Sequence, residues 1–136
     1  HHVHRPVEAH ELDDDVLELA RVQLQLARLA KDGQRPVEAR RHLERGLALA
    51  RSFNARTGSG VNPVGLRLLG DYAGLYLDAG AAAGLTAAAL RRPLQRAYDF
   101  ICQHPSPSWA RQRALFGLVL SLLDLEGGMG QDGERT

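Results

Sequence analysis

The amino-acid sequence predicts an all-α protein, an antiparallel bundle of about five helices, and three observations lead to this fold class. Hydrophobic residues make up 44% of the 136 residues and are mainly Ala and Leu, whereas aromatic residues make up 5%. Ala, Leu and Arg favour helices, while strands favour β-branched and aromatic residues. Apolar residues also recur at steps of three and four, as on one face of a helix. Breaks that contain glycine or proline divide this pattern into five segments, and the length suits one domain.

The first helix is expected to begin near Asp13. It follows residues 1–10, whose opening HHVH is typical of a purification-tag remnant on a flexible N-terminus. The aspartates at 13–15 offer an N-cap and place negative charge at the positive end of the helix dipole. Two neighbouring apolar stripes follow, one of Leu12, Val16, Leu19 and Leu26 and one of Leu17, Leu24 and Ala27. The segment DGQRP ends the helix, because glycine suits a helix end and Pro36 suits the first position of the next helix.

The second helix is predicted from about Pro36 to Asn54, followed by the glycine-rich stretch RTGSGVNP over 56–63. A phosphate-binding loop would need a strand before this stretch and a lysine at its end, and the sequence offers neither. Pro63 also lacks the N–H that an anion would use. We therefore interpret the stretch as a hinge, in which Asn62 caps the third helix and Pro63 occupies its first turn.

The third helix carries a clear apolar face, because six of its residues recur at three- and four-residue steps. These residues are Leu68, Leu69, Tyr72, Leu75, Tyr76 and Ala79. Other positions hold the small residues Gly65, Gly70, Ala73 and Gly74, which suit either tight packing against a neighbouring helix or a groove that receives a partner helix. The segment DAGAAAGL over 78–85 reads as a linker.

The fourth helix is expected after Thr86, with an inward stripe of Leu90, Leu94, Ala97, Tyr98 and Ile101. Pro93 lies inside this pattern and should kink the helix or split off its first turns. Ser106 then offers an N-cap for the fifth helix, which is predicted to end near Gly127 and Gly128. The domain thus covers 11–127, and 128–136 is expected to form a flexible C-terminal tail.

The fifth helix is apolar around most of its circumference. One stripe consists of Trp109, Phe116, Val119, Leu120 and Leu123, and a second face consists of Leu115, Leu118, Leu122 and Leu125. A helix of this kind must be buried on both sides. It is therefore either the central helix of the bundle or a helix whose second face contacts another chain.

Charge and motif content argue against several functions. Seventeen basic and sixteen acidic residues give a formal charge of +1, which does not favour a nucleic-acid partner. The longest nearly apolar run, ALFGLVLSLLDL, is shorter than the roughly 20 residues that cross a bilayer, so no membrane insertion is expected. No signal peptide is visible and the chain has one cysteine, which favours a cytoplasmic protein. The sequence shows no metal-ligand spacing and no catalytic motif, so we expect no cofactor and no enzyme activity.

The hinge and the third helix resemble the FliS family of bacterial cytoplasmic export chaperones for flagellin. In that family, two antiparallel helices lead to a glycine pair and then to a helix with a Leu-Tyr-Asp-Tyr signature. Here GSG at 58–60 takes the place of the glycine pair, and the signature is echoed by Leu69, Asp71, Tyr72, Leu77 and Ala79. Gly70 stands where the first signature tyrosine would be. The resemblance covers about residues 15–100 and implies a chaperone that holds helical clients along apolar grooves.

The interpretation of the sequence is a non-catalytic protein-binding domain, a small chaperone or adaptor that binds an amphipathic helical segment of a client. The expected partner surface consists of Leu115, Leu118, Leu122 and Leu125, with Tyr72 and Tyr76. One alternative is a homodimeric structural subunit, and Ala39, Leu43 and Gly46 do match the second-helix spacing of tetratricopeptide-type hairpins. A second alternative is a small-ligand binder or enzyme with a pocket near the Pro93 kink.

Overall fold

The computed structural model describes the backbone of residues 7–58 and 60–135, and the side chains of 15–58 and 60–127. This part of the chain forms five α-helices with a short 3₁₀ turn and contains no strand, which confirms the predicted all-α bundle. The elements are α1 (Val7–Asp32), α2 (Pro36–Thr57), α3 (Pro63–Ala83), α4 (Ala87–Gln103), the 3₁₀ turn (Pro107–Trp109) and α5 (Ala110–Arg135).

The helices alternate in direction, so that α1, α3 and α5 are parallel to one another and antiparallel to α2 and α4. The ion pairs Arg28–Asp71 and Lys31–Asp78 show this for α1 and α3, since residue numbers increase together along both helices. The central helix is α3, which packs against each of the other four. The prediction that α5 could be the central helix is therefore wrong, and α1 and α5 lie on opposite sides of α3.

The hinge between α2 and α3 has the predicted structure. Gly58 ends α2 in the left-handed conformation with φ 77°, which a glycine adopts without a steric penalty. The Oδ1 atom of Asn62 accepts a hydrogen bond from the Gly65 N–H at 2.7 Å, while its Nδ2 donates to the Ala50 carbonyl and to Asn54 Oδ1. All three bonds are made by a side chain that is almost completely buried. This one amide therefore caps α3 and fixes it to the end of α2.

Four predicted helix boundaries differ from the structure. Helix α1 begins at Val7 instead of near Asp13, since no glycine or proline interrupts the chain from there to Asp32. Helix α3 continues through the predicted linker to Ala83, with a kink at Ala79, and α4 is continuous through Pro93. Helix α5 continues past Gly127 to Arg135, because glycine lowers helix propensity without ending a helix by itself. Of the predicted flexible ends, residues 1–6 and 136 lie outside the described residues.

The hydrophobic core forms where α2 and α3 meet their neighbours. At Gly46 three helices come close together, since a Cβ atom there would lie 2.7 Å from Leu68 Cδ2 and 3.3 Å from Gln23 Cβ. On α1 the buried positions are Ala20, Leu24, Ala27 and Ala30. Only one face of α1 is used in this way, which leaves the opposite face of the helix in solvent.

Candidate protein-binding surface

The predicted surface on α5 is partly exposed. Leu118 is 53% exposed and Leu125 is 63% exposed, whereas Leu115 and Leu122 are half-buried. These four residues lie at three- and four-residue spacing on one side of the helix, and we call them the α5 face. The stripe opposite the solvent, which includes Phe116, is buried against α3 and α4. The α5 face is thus a row of leucines that the described part of the chain does not cover.

The two tyrosines predicted for this surface have different environments. Tyr72 is 4% exposed and its hydroxyl donates a 2.9 Å hydrogen bond to Glu44 Oε2 on α2. Burial and this hydrogen bond raise the pKa of Tyr72 well above its ordinary value. Its side chain offers no surface to a partner, because it lies between α2 and α3, and we remove it from the site. Tyr76 is half-buried and donates to Glu126 Oε2 at 3.0 Å, so it lies at one end of the α5 face.

The small residues of α3 serve two different purposes. Gly65 packs against α2, since a Cβ atom there would be 3.5 Å from the Ala50 Cβ. On the opposite side of α3, a Cβ at Gly70 would meet only Gln112 Cγ at 3.8 Å, and a Cβ at Gly74 would have no neighbour within 4 Å. Of the two alternatives that the sequence left open, tight packing therefore applies at Gly65 and an open surface applies at Gly70 and Gly74.

The open side of α3 is the floor of a furrow between α1 and α5. Its deepest part has a volume of about 230 Å³ and is lined by Arg28, Arg67, Gly70, Asp71, Arg111, Gln112 and Leu115. Gly74 and the exposed Leu77 continue the same face of α3 for two further turns. Because Leu115 belongs both to this lining and to the α5 face, the two form one continuous surface. We refer to the open side of α3 between α1 and α5, from Arg67 to Leu77, as the furrow.

The furrow has a positively charged end. Arg28 of α1 forms a two-point contact with Asp71 of α3, with Nε–Oδ2 at 2.8 Å and Nη2–Oδ1 at 3.3 Å. The hydrogen bond to Asp71 is also the main reason that the pKa of Arg28 is raised. Arg67 and Arg111 are exposed at the same end, and neither forms an ion pair with another described residue. Two guanidinium groups that have no ion-pair partner among the described residues therefore border the furrow.

A second apolar surface lies on α1 and was not identified from the sequence as a separate site. Leu19, Val22, Leu26 and Leu29 are all exposed, with Leu19 at 53% and Leu29 at 62%. Their steps of three, four and three residues place them on one stripe, opposite the buried Ala20 and Leu24, and we call it the α1 stripe. The signal was present in the two apolar stripes of the first helix, but spacing alone could not tell which one packs against α2.

A cavity does lie beside Pro93, as the ligand-binding alternative requires, but it is small. It has a volume of about 80 Å³ and lies between α2, the hinge, α3 and α4, next to Arg51, Asn62 and Arg96. Pockets for small molecules typically measure about 300–1,000 Å³. The cavity thus gives little support to a substrate or cofactor site.

The titrating groups whose pKa is shifted also do not form a catalytic arrangement. The pKa values of Arg28, Tyr72 and Tyr76 are all raised, so each group keeps at neutral pH the proton that it ordinarily carries. In the described part of the chain, no group of three or more His, Cys, Asp or Glu residues could hold a metal ion. No helix within the described residues combines the length and the apolar character needed to cross a membrane.

Comparisons with known proteins leave the surface as the main guide to function. No protein family, no curated protein and no solved structure matches this chain.

Proposed function

We propose that the protein is a non-catalytic protein-binding domain, a small chaperone or adaptor that binds an amphipathic helical segment of a client protein. The observation that carries this proposal is the α5 face beside the furrow, a row of leucines of which Leu118 and Leu125 are exposed, next to a concave surface with glycine at its floor. Amphipathic helices bind in apolar grooves through side chains at positions i, i+3, i+4 and i+7. The α5 face has the matching length of about three turns.

The energetics of the exposed leucines support a binding role. Burying a leucine side chain completely is worth about 1.5–3 kcal/mol, so covering Leu118 and Leu125, each more than half exposed, contributes roughly 1–2 kcal/mol per residue. The absence of a Cβ atom at Gly70 and Gly74 lets the backbone of a partner helix approach α3 closely. A helix seated there would contact α3 and α5 together, as a sixth member of the bundle.

The resemblance to the FliS family supports the same proposal. It rests on the hinge at 58–60 and on the third helix, and it implies a cytoplasmic export chaperone whose helical clients lie along apolar grooves. Gly70 departs from the signature tyrosine of that family, and in this chain it forms part of the furrow floor. The client of this protein is proposed to be a helical segment of an export substrate.

The test is a pull-down from lysate of the native host, with bound proteins identified by mass spectrometry. The variant Leu118→Glu, Leu125→Glu places two carboxylates on the α5 face at positions exposed enough to leave the fold intact. The matched control is Leu19→Glu, Leu29→Glu on the α1 stripe, whose residues have nearly the same exposure. A dominant partner that is lost with the α5 variant and kept with the α1 variant supports the proposal. Absence of any specific partner, or a partner indifferent to the α5 variant, contradicts it.

A homodimeric structural subunit is the second candidate function, and the α1 stripe favours it. Four aliphatic side chains at heptad-like spacing on an exposed helix face are typical of a helix that pairs with another helix. Self-association would give a particle of twice the 14.9 kDa chain mass, which light scattering after size exclusion measures directly. A dimer that the variant Leu19→Glu, Leu29→Glu converts into a folded monomer would establish this function. A wild-type monomer at high micromolar concentration would exclude it.

A further inference from the structure

The furrow combines its apolar wall with an excess of positive charge at one end. Arg111 lies in the first turn of α5, and Arg67 follows the first turn of α3. Neither first turn contains an acidic residue, although negative charge is what stabilises the start of a helix. Arg111 is therefore repelled by the positive end of the α5 dipole, and neither arginine forms an ion pair with a described carboxylate.

The charge of the surface changes sign along α5. At the furrow end, Arg28 is balanced by Asp71, which leaves the charges of Arg67 and Arg111 in excess. Near Leu125, Asp124 is balanced by Arg91 of α4, which leaves Glu126, the acceptor of the hydrogen bond from Tyr76, as the charged residue beside the α5 face. A partner that lies along the α5 face thus meets Arg67 and Arg111 at one end of its path and Glu126 at the other.

We infer that the segment bound in the furrow is an amphipathic helix whose acidic residues are concentrated at one end, where they pair with Arg67 and Arg111. This inference rests on the proposed function, since it specifies the chemistry of the helix that the α5 face receives. Carboxylates at that end would satisfy the two arginines and also interact favourably with the N-terminal ends of α3 and α5. Acidic residues at the other end would meet Glu126.

The test uses three synthetic 18-residue helical peptides with the same Leu and Ala face, labelled with a fluorophore. The first carries three Glu residues in its final turn, the second carries Gln at those positions, and the third carries Lys. Exposed ion pairs strengthen an interaction by about 1.4- to fivefold each. Fluorescence anisotropy is therefore expected to show the Glu peptide binding about two- to 25-fold more tightly than the Gln peptide, and the Lys peptide binding most weakly. The preference should decrease as the salt concentration is raised from 0.05 to 0.5 M. Over this interval the electrostatic screening length falls below about 10 Å, which weakens exposed ion pairs.

Two variants of the protein separate the charge contribution from the apolar contribution. The variant Arg67→Gln, Arg111→Gln is expected to bind the Glu and Gln peptides equally, with the affinity for the Gln peptide unchanged. The variant Leu118→Glu, Leu125→Glu is expected to lose all three peptides. Circular dichroism and thermal unfolding of both variants establish that they are folded.

The results distinguish failure of this inference from failure of the proposed function. Equal binding of all three peptides, lost with the leucine variant, overturns the inference and leaves helix binding at the α5 face in place. A preference for the Glu peptide that persists in the arginine variant also overturns it, because residues other than Arg67 and Arg111 then bind the carboxylates. Binding of no peptide overturns it as well, and the pull-down then decides on the proposed function. Binding of a single-stranded RNA that depends on the arginines but not on the leucines would assign the charged end to a nucleic acid and overturn it.

Discussion

The substitution Gly74→Ala on the furrow floor is expected to stabilise the protein. Gly74 lies in the middle of α3, and a Cβ atom at this position would have no neighbour within 4 Å. The added methyl group therefore causes no steric conflict, while alanine favours a helix over glycine by about 1 kcal/mol. We expect the free energy of unfolding to rise by about 0.5–1 kcal/mol. In a chain of this length, that corresponds to an increase in Tm of roughly 2–5 °C.

The matched control is Gly46→Ala, the same substitution in the interior of α2. Here the new Cβ would lie 2.7 Å from Leu68 Cδ2, and Leu68 is completely buried in the core. Overpacking of a core costs about 1–3 kcal/mol, which exceeds the gain in helix propensity. We expect Gly46→Ala to lower the free energy of unfolding by about 1 kcal/mol. The two alanine variants should therefore differ by about 2 kcal/mol, with opposite signs relative to the wild type.

Urea denaturation followed by circular dichroism at 222 nm measures both changes. The same Gly74→Ala protein should also bind the acidic peptide more weakly, because the methyl group raises the floor of the furrow. If the space above Gly74 serves binding, the Gly74→Ala variant should be more stable than the wild type and should bind the peptide more weakly. If Gly74→Ala instead destabilises the protein, this side of α3 is packed in solution and the furrow is not a binding surface.

Three further substitutions test other parts of the structure, and urea denaturation measures each of them. Asn62→Ala removes the cap of α3 and two donated hydrogen bonds, so we expect a loss of about 2–4 kcal/mol; a loss under 1 kcal/mol would contradict this role. Gln34 has φ 59°, where a non-glycine residue is strained, so Gln34→Gly should stabilise the α1–α2 turn by up to about 1 kcal/mol, and destabilisation would show that no strain is present. Tyr72→Phe should cost about 1 kcal/mol at pH 7, because it removes the hydrogen bond to Glu44. Since the folded protein raises the pKa of Tyr72, its contribution is complete below the ordinary value of about 10 and is lost as the pH rises above it. The phenylalanine variant should thus lose less stability than the wild type between pH 9 and 11, and parallel losses would contradict this reasoning.

Local features of the fold could be predicted from the sequence because local physical chemistry decides them. The hinge is an example: the left-handed Gly58, the capping Asn62 and the following Pro63 each act on the backbone within a few residues. The same holds for Thr86, which caps α4 by accepting a hydrogen bond from the Ala89 N–H. Where a helix ends without such a signal, as α5 does beyond Gly127, composition alone gave the wrong boundary.

Features that depend on tertiary packing could not be predicted in this way. Tyr72 shares its apolar stripe with Tyr76, yet one side chain is buried against Glu44 and the other reaches Glu126 at the edge. Periodicity identifies the shared face of a helix, but it does not specify which neighbouring helix covers each part of that face. The furrow could not be predicted either, since its lining comes from three helices that are distant in sequence.

The position of α3 at the centre of the bundle explains why two apolar surfaces remain exposed. Because α3 contacts every other helix, α1 and α5 are both outer helices, each buried along one side only. A second apolar side on an outer helix adds nothing to the packed core, and such exposed patches mark interaction sites or favour aggregation. The two surfaces lie on opposite sides of α3, so substitutions on one leave the other intact. The two double variants therefore test separate functions of one folded protein. The α5 variant tests whether the protein binds a client helix, and the α1 variant tests whether it binds a second copy of itself.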